Sequence, residues 1–372
     1  MVYGYETSAK INVCVYLQEK YMKENNDIRI QDPSNFRQMI FESPDQFRIG
    51  FELGKNLLIS GRYDSIEISG MGGSALPGNL LRTYLGDLYA HNGSRPIAIY
   101  QNRTYTLPHE STREGCLNIF CSYSGNTEET LSAFEESMRR GNASIGISVG
   151  GKLEKLCHER NIPHIKLPMP FPDFQPRVGT GYFFGAIFGV LVKLNMAIDT
   201  CDTLIAEAEE IGREMSVLEE RGKILAEKLM GRTPVVYSTT TFKSVAMVWK
   251  IKFNENAKIP AFWNFFPELN HNEMVGFTHP NGKFSVLMLS DPDMDGRIRS
   301  RFDKTAQLLS ECGVAVESID MGKGNVFTKM FRTIFLGDFT SYHLAIRSGV
   351  NPTPVDMVEK LKQLLADKEN VQ

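Results

Sequence analysis

A chain of 372 residues, 42% hydrophobic and 23% charged, has an ordinary globular composition and the length for two domains. Its formal net charge of −3 gives no electrostatic reason to expect nucleic acid or an anionic membrane as a partner. Cys14, Cys116, Cys121, Cys157, Cys201 and Cys312 form no C-x-x-C pair, which speaks for reduced thiols rather than a disulfide framework or a zinc site. Residues 1–10 lack the cationic and apolar regions of a signal peptide, and no apolar run reaches transmembrane length, so a cytoplasmic protein is expected. Residues 11–17, INVCVYL, form an apolar patch to which no function attaches. Phe36, Met39 and Ile40, then Phe47, Ile49, Phe51, Leu53 and Leu57, recur at helical spacing. Ser43 to Gln46 read as a cap, with Pro44 in the first turn of the second helix.

The next segment, SIEISGMGGSALPGNLLRTYL, predicts a strand around Ile66 and Ile68, a turn over residues 70–74 and a helix from Leu76 to Leu85. Strand, glycine-rich turn and helix together present backbone N–H groups to an anionic or polar ligand. Gly70, Gly72 and Ala75 even fit a dinucleotide fingerprint, but that fingerprint needs an acidic residue at the end of the next strand. The next strand, PIAIY, ends in Gln101, so a dinucleotide fits poorly.

A third strand, CLNIFCSYS, runs into GNTEETLSAFEESMRR. Asn126 as N-cap with Glu129 three residues on would make a capping-box-like pair. Ser122, Ser124 and Thr127 around Gly125 exceed what a cap needs, and hydroxyls with free N–H groups at a helix N-terminus suit a phosphate monoester. ASIGISVG, a helix over residues 153–160 and IPHIKLP complete successive β-α repeats, which means a parallel sheet with helices on both faces.

Residues 175–194 predict an apolar helix entered through Pro176 and Arg177; the arginine either snorkels there or meets a phosphate or sugar oxygen. Residues 199–230 are charged and helical and read as the connection between domains. New strands follow at PVVYST, FSVLMLS and VAVESID, and the architecture recurs without close sequence repetition. Between them lies NENAKIPAFWNFFPELNHNE, residues 254–273, where Glu255 and His271 flank Trp263 and three phenylalanines. A carboxylate and an imidazole in an aromatic-walled cleft suit general base and acid work, although a glutamate at a helix start is commonly a cap. The last predicted helix, residues 351–365, has Pro354 in its first turn and an apolar stripe of Val355, Val358, Leu361 and Leu365.

Six stretches in this order, GMGGSA, SYSGNTEET, PRVGTGY, NENAKIPAFWN, ELNHNE and NPTPV, together resemble the bifunctional phosphoglucose/phosphomannose isomerases, built from sugar-isomerase (SIS) domains. The resemblance runs from about residue 35 to 372. It implies an α/β fold of two SIS domains, each a doubly wound, flavodoxin-like five-stranded parallel sheet flanked by helices. Residues 1–34 would be an extension, 35–200 and 201–350 the two domains, and 351–372 a helix completing the site. It also implies a homodimer with active sites near the subunit boundary. Glucose 6-phosphate and mannose 6-phosphate would be converted reversibly to fructose 6-phosphate through an enediolate, with no metal and no cofactor. Carried over motif by motif, Ser122, Ser124 and Thr127 would bind phosphate, and Gly72, Gly73 and Ser74 would line the sugar site. Arg177 would stabilise the enediolate, Glu255 would move the proton between C1 and C2, and His271 of a partner would open the ring. A lysine of the last helix should enter the pocket, Lys362 by the usual register or Lys360 as the alternative.

Three rivals compete. A non-catalytic SIS regulator that senses a sugar phosphate would need the Ser122–Thr127 cluster but not Glu255 and His271. An amidotransferase needs a nucleophilic cysteine at its N-terminus, whereas MVYGYE leads here to Cys14 as first thiol. A zinc isomerase needs clustered ligands, and neither His271 with His279 nor Cys157 with His158 and His164 has convincing spacing.

Overall fold

The structure, a computed structural model, describes residues 31–92 and 96–369; the apolar patch at 11–17 lies outside them. Helical spacing of apolar side chains produces α1 (Phe36–Phe41) and α2 (Gln46–Asn56). Phe36, Met39, Ile40, Phe47 and Phe51 are all buried, each burial contributing roughly 1.5–3 kcal/mol. Pro44 sits in a short 3-10 turn (Ser43–Asp45) ahead of α2 rather than in its first turn.

The first sheet is parallel throughout. Its strands β1 (Ser65–Gly70), β2 (Ala98–Asn102), β3 (Cys116–Cys121), β4 (Ser144–Ser148) and β5 (His164–Lys166) pair in the order β2-β1-β3-β4-β5. Helices α3 (Leu76–Asn92), α4 (Glu128–Arg140) and α5 (Gly151–Glu159) make the crossovers. Every residue of β1, β3 and β4 is buried, as in strands covered on both faces. Connections leave β1 and β3 in opposite directions, so the crevice beyond their C-terminal ends is where an open α/β sheet takes its ligand. Gln101, where a dinucleotide site would need an acid, donates its amide to the Ala75 carbonyl at 3.1 Å.

The mouth of the next helix, α6 (Thr180–Lys193), is fixed by backbone-to-backbone packing on α2. A Cβ on Gly50 would lie 2.5 Å from the Tyr182 carbonyl oxygen, and one on Gly185 2.6 Å from that of Phe47. Even a methyl group has no room there. The long connection is α7 (Cys201–Leu229), packed along α10 (Val326–Arg347).

The second sheet contains β6 (Thr233–Thr239), β7 (Phe262–Phe266), β8 (Phe284–Ser290) and β9 (Ala315–Asp320), parallel in the order β7-β6-β8-β9. Helices α8 (Lys243–Glu255) and α9 (Gly296–Glu311) flank it. The order repeats the first sheet with four strands, where five were expected. After β9 the chain enters the 22-residue α10, and β9 carries Glu317 and Asp320, charges that discourage a further strand. β8 holds the place that β3 holds in the first sheet, but its following turn offers Asp291 and Asp293. Both are ion-paired to buried Lys329, at 2.7 and 2.5 Å.

One apolar core joins the sheets, with the Phe47 and Phe331 rings 4.5 Å apart. The last helix, α11 (Asp356–Glu369), starts after Pro354, and its Val358, Leu361 and Leu365 are exposed rather than packed. Among the described residues no helix is long and apolar enough to cross a membrane.

Candidate active site

Two turns meet at the switch point of the first sheet. In the turn Gly72–Ala75, Gly72 has φ +50° and open space where a side chain would be. A Cβ on Gly73 would fall 2.7 Å from the Arg177 backbone nitrogen, so only glycine lets this turn lie against the entrance of α6. The Ser74 hydroxyl accepts from the Tyr123 N–H at 3.0 Å and ties the first turn to the second.

In the second turn the Ser122 and Thr127 hydroxyls are 2.8 Å apart, and the Ser124 hydroxyl accepts from the Asn126 N–H at 3.2 Å. Thr127, not Asn126, is the N-cap of α4, and no side chain caps it. Asn126 accepts from the Lys152 N–H at 3.0 Å instead, so the expected capping box does not form. The first-turn N–H groups of α4 therefore face whatever enters the crevice.

Arg177, in the short 3-10 turn Pro176–Val178, does not snorkel. It is 1% exposed and turned inward. Its Nε donates to Asn256 Oδ1 at 2.6 Å, and its Nη2 donates to the Pro352 and Thr353 carbonyls at 2.7 and 2.8 Å. Its Nη1 reaches Gln175 Oε1 at 2.9 Å and Glu255 Oε2 at 3.4 Å. All five donors of the guanidinium are thus engaged, and the long arm to Glu255 is the one that a ligand oxygen could most readily share. Burial pushes the guanidinium down to about 10, against the pull of Glu255 and Asp338, so it stays charged at neutral pH.

Glu255 is the last residue of α8, at a helix end and not a helix start, and its side chain is 31% exposed beside the buried arginine. One turn earlier, fully buried Lys252 pairs with Asp338 Oδ1 at 2.6 Å and also donates to the Arg177 carbonyl. Burial raises the Asp338 carboxyl, opposed by Lys252 and Arg177. Asn256 is fixed from behind by Ser341, whose hydroxyl accepts its amide at 2.9 Å.

The other candidates stay apart from this centre. His271 ends the turn Glu268–His271 and is exposed, and its side chain makes no hydrogen bond or ion pair among the described residues. Lys360 is exposed on α11, and Lys362 pairs with Glu359 at 2.7 Å on the same helix. Within one chain, then, the structure brings together the two turns, Arg177 and Glu255, and leaves His271 and both lysines outside.

The comparisons with known proteins bear on this arrangement. Residues 218–365 match the family described as the bacterial phospho-glucose isomerase C-terminal SIS domain. A bifunctional phosphoglucose/phosphomannose isomerase of Caldicellulosiruptor bescii is 35% identical over 343 residues, covering 88% of this chain and 98% of the relative. The chain belongs to that family. An Aquifex aeolicus protein of the same description is 34% identical, covering 82% of this chain and 91% of its own. Among solved structures, the C-terminal domain of a Francisella tularensis glucosamine-fructose-6-phosphate aminotransferase shares the fold. Its TM-score is 0.63 at 15% identity, over 86% of this chain and 96% of that one.

Several groups around Arg177 escaped the sequence in this family member. Asn256 and Lys258 lie inside the motif NENAKIPAFWN and Gln175 just before PRVGTGY, but nothing in the motifs assigns them work. The Pro352 and Thr353 carbonyls carry no side-chain signal at all. Asp338 had one visible sign, a lone acid in the apolar run FLGDFTSYHLA.

Proposed function

We propose that this chain interconverts glucose 6-phosphate or mannose 6-phosphate with fructose 6-phosphate, using Glu255 to carry one proton between C2 and C1. The observation that carries the reading is the Glu255 carboxylate resting on the one long arm of a buried arginine, beside two turns suited to a phosphosugar. Proton removal next to a carbonyl builds charge on the neighbouring oxygen, and Arg177 Nη1 lies where it could meet that charge. The phosphate, gripped at Ser122, Ser124 and Thr127, would hold C1 and C2 against Glu255. The turn after β8 offers carboxylates to an anion, so the grip falls to the first sheet. Residues 35–200 and 201–350 serve as the two SIS domains, and residues 351–372 complete the site. Neither a metal nor a cofactor has a part in these steps, and the free thiols suit a cytoplasmic enzyme.

Purified protein in EDTA should form fructose 6-phosphate from both aldose phosphates, measured by a coupled assay. No product from either substrate would overturn the reading, and activity lost to chelation would overturn the metal-free mechanism.

For the phosphate turn, Ser124→Ala and Thr127→Ala should each raise KM about tenfold or more, with a smaller change in kcat. An unchanged KM in both variants would remove this turn from the site.

We further propose a homodimer in which His271 of one chain serves Glu255 of the other. Support comes from the exposed His271, from Phe262 exposed on edge strand β7, and from the uncovered Met357, Leu361 and Leu364 on α11.

A further inference from the structure

Beyond Glu255 the backbone reverses at Lys258, whose φ of +57° lies in the left-handed region. Glycine enters that region freely and lysine does not, and a helix end asks only for glycine or asparagine there. The lysine therefore has to be explained by its side chain. Its Nζ donates back to the Glu255 carbonyl and across to the Pro352 carbonyl, the latter at 3.1 Å. The same Pro352 carbonyl accepts from Arg177 Nη2 at 2.7 Å. Two cations from different parts of the chain thus share one carbonyl oxygen, and the backbone at residue 352 is stapled to the end of α8.

We infer that Lys258 is a positioning residue for the isomerisation proposed above, on which this inference rests. It clamps the end of α8 to residues 352–353, and so keeps the Glu255 carboxylate in register with the Arg177 guanidinium. Removing the clamp leaves Arg177 its own five acceptors but frees the last turn of α8 to shift against it. The charged groups facing the ammonium are Arg177, Glu255 and Asp356. Partial burial of the ammonium, reinforced by the charge of Arg177, pushes it down to about 8. Above that pH the amine can still donate, without the strength that charge lends a hydrogen bond.

A simpler account makes Lys258 an ordinary cation near a helix C-terminus, complementing the helix dipole. The two accounts separate in Lys258→Gly, which removes the side chain while relieving the backbone, and in Lys258→Arg, which keeps a charge at every working pH. With wild type active on both sugar phosphates, Lys258→Gly should melt no lower than wild type and keep KM within about threefold. Its kcat should fall about ten- to a hundredfold, the cost of a small misplacement of the base. Lys258→Arg should recover part of kcat. Wild-type kcat should decline as pH rises through about 8, and Lys258→Arg should move that decline to higher pH. A Lys258→Gly variant that turns over at the wild-type rate, or loses activity only in step with a lower Tm, would overturn the inference. A wild type inactive on both sugars would overturn the function itself, and this role with it.

Discussion

Glu255→Gln should lower kcat by about 10² to 10⁴, the usual contribution of a general base, with little change in KM. The amide keeps the size of the side chain and an acceptor for Arg177 Nη1, which lies 3.4 Å from Glu255 Oε2, so the fold should survive. His271→Ala should be severely impaired as well, although the His271 side chain makes no hydrogen bond or ion pair among the described residues. Re-equilibrated together, the two variants of the proposed homodimer should form mixed dimers in which one site carries both lesions and the other carries neither. Activity should return to about a quarter of wild type, since half the dimers are mixed and half their sites intact, for random exchange and independent sites. If subunit exchange is demonstrated and no activity returns, Glu255 and His271 act within one chain, and the shared site is wrong.

Arg177→Lys should damage both folding and chemistry. An ammonium has three donors where the guanidinium has five, so at least two of the surrounding acceptors lose their partner. The side chain is 1% exposed, and water cannot replace what is lost. Breaking a buried, hydrogen-bonded charge typically costs about 3–5 kcal/mol, to be read as a lower urea midpoint at unchanged slope. The surviving enzyme should also lose about 10² to 10³ in kcat, the cost of one misplaced donor at a developing oxyanion. A variant with the wild-type midpoint and rate would mean that the acceptors around Arg177 constrain neither.

The first half of the fold was legible because its signals are local. Phe36, Met39, Phe47 and Phe51 mark helix faces, and the isoleucines of β1 and β4 with Leu117, Ile119 and Phe120 of β3, each run followed by a glycine-bearing turn, mark the strands. The second half was less open. Strand β7 is FWNFF, with aromatics on both faces and neither alternation nor a plain apolar run, so it looked like the wall of a cleft. The sequence places Glu255 at a helix start, whereas it ends α8, a helix whose Lys252 is buried and ion-paired inside the protein. The candidate site was legible in the side chains that the fold brings together, Ser122, Thr127, Arg177 and Glu255. It was illegible where backbone carbonyls at 352 and 353 hold Arg177, because a carbonyl is present at every position and only the fold selects two. His271, Lys360 and Lys362 are exposed and stand away from Arg177 and Glu255, so the fold of one chain gives their proposed roles no support.

The five acceptors of Arg177 belong to residues 175, 255, 256, 352 and 353, so they leave the ribosome at widely separated times. A nascent chain made as far as α6 already carries the turn proposed to grip phosphate, while its arginine waits with one native acceptor, Gln175. The second and third, Glu255 and Asn256, arrive together at the end of α8, and the last two only after α10 has been made. On the proposed roles of these residues, chemistry is therefore the last property this polypeptide acquires during its own synthesis, well after the turn proposed to hold the phosphate.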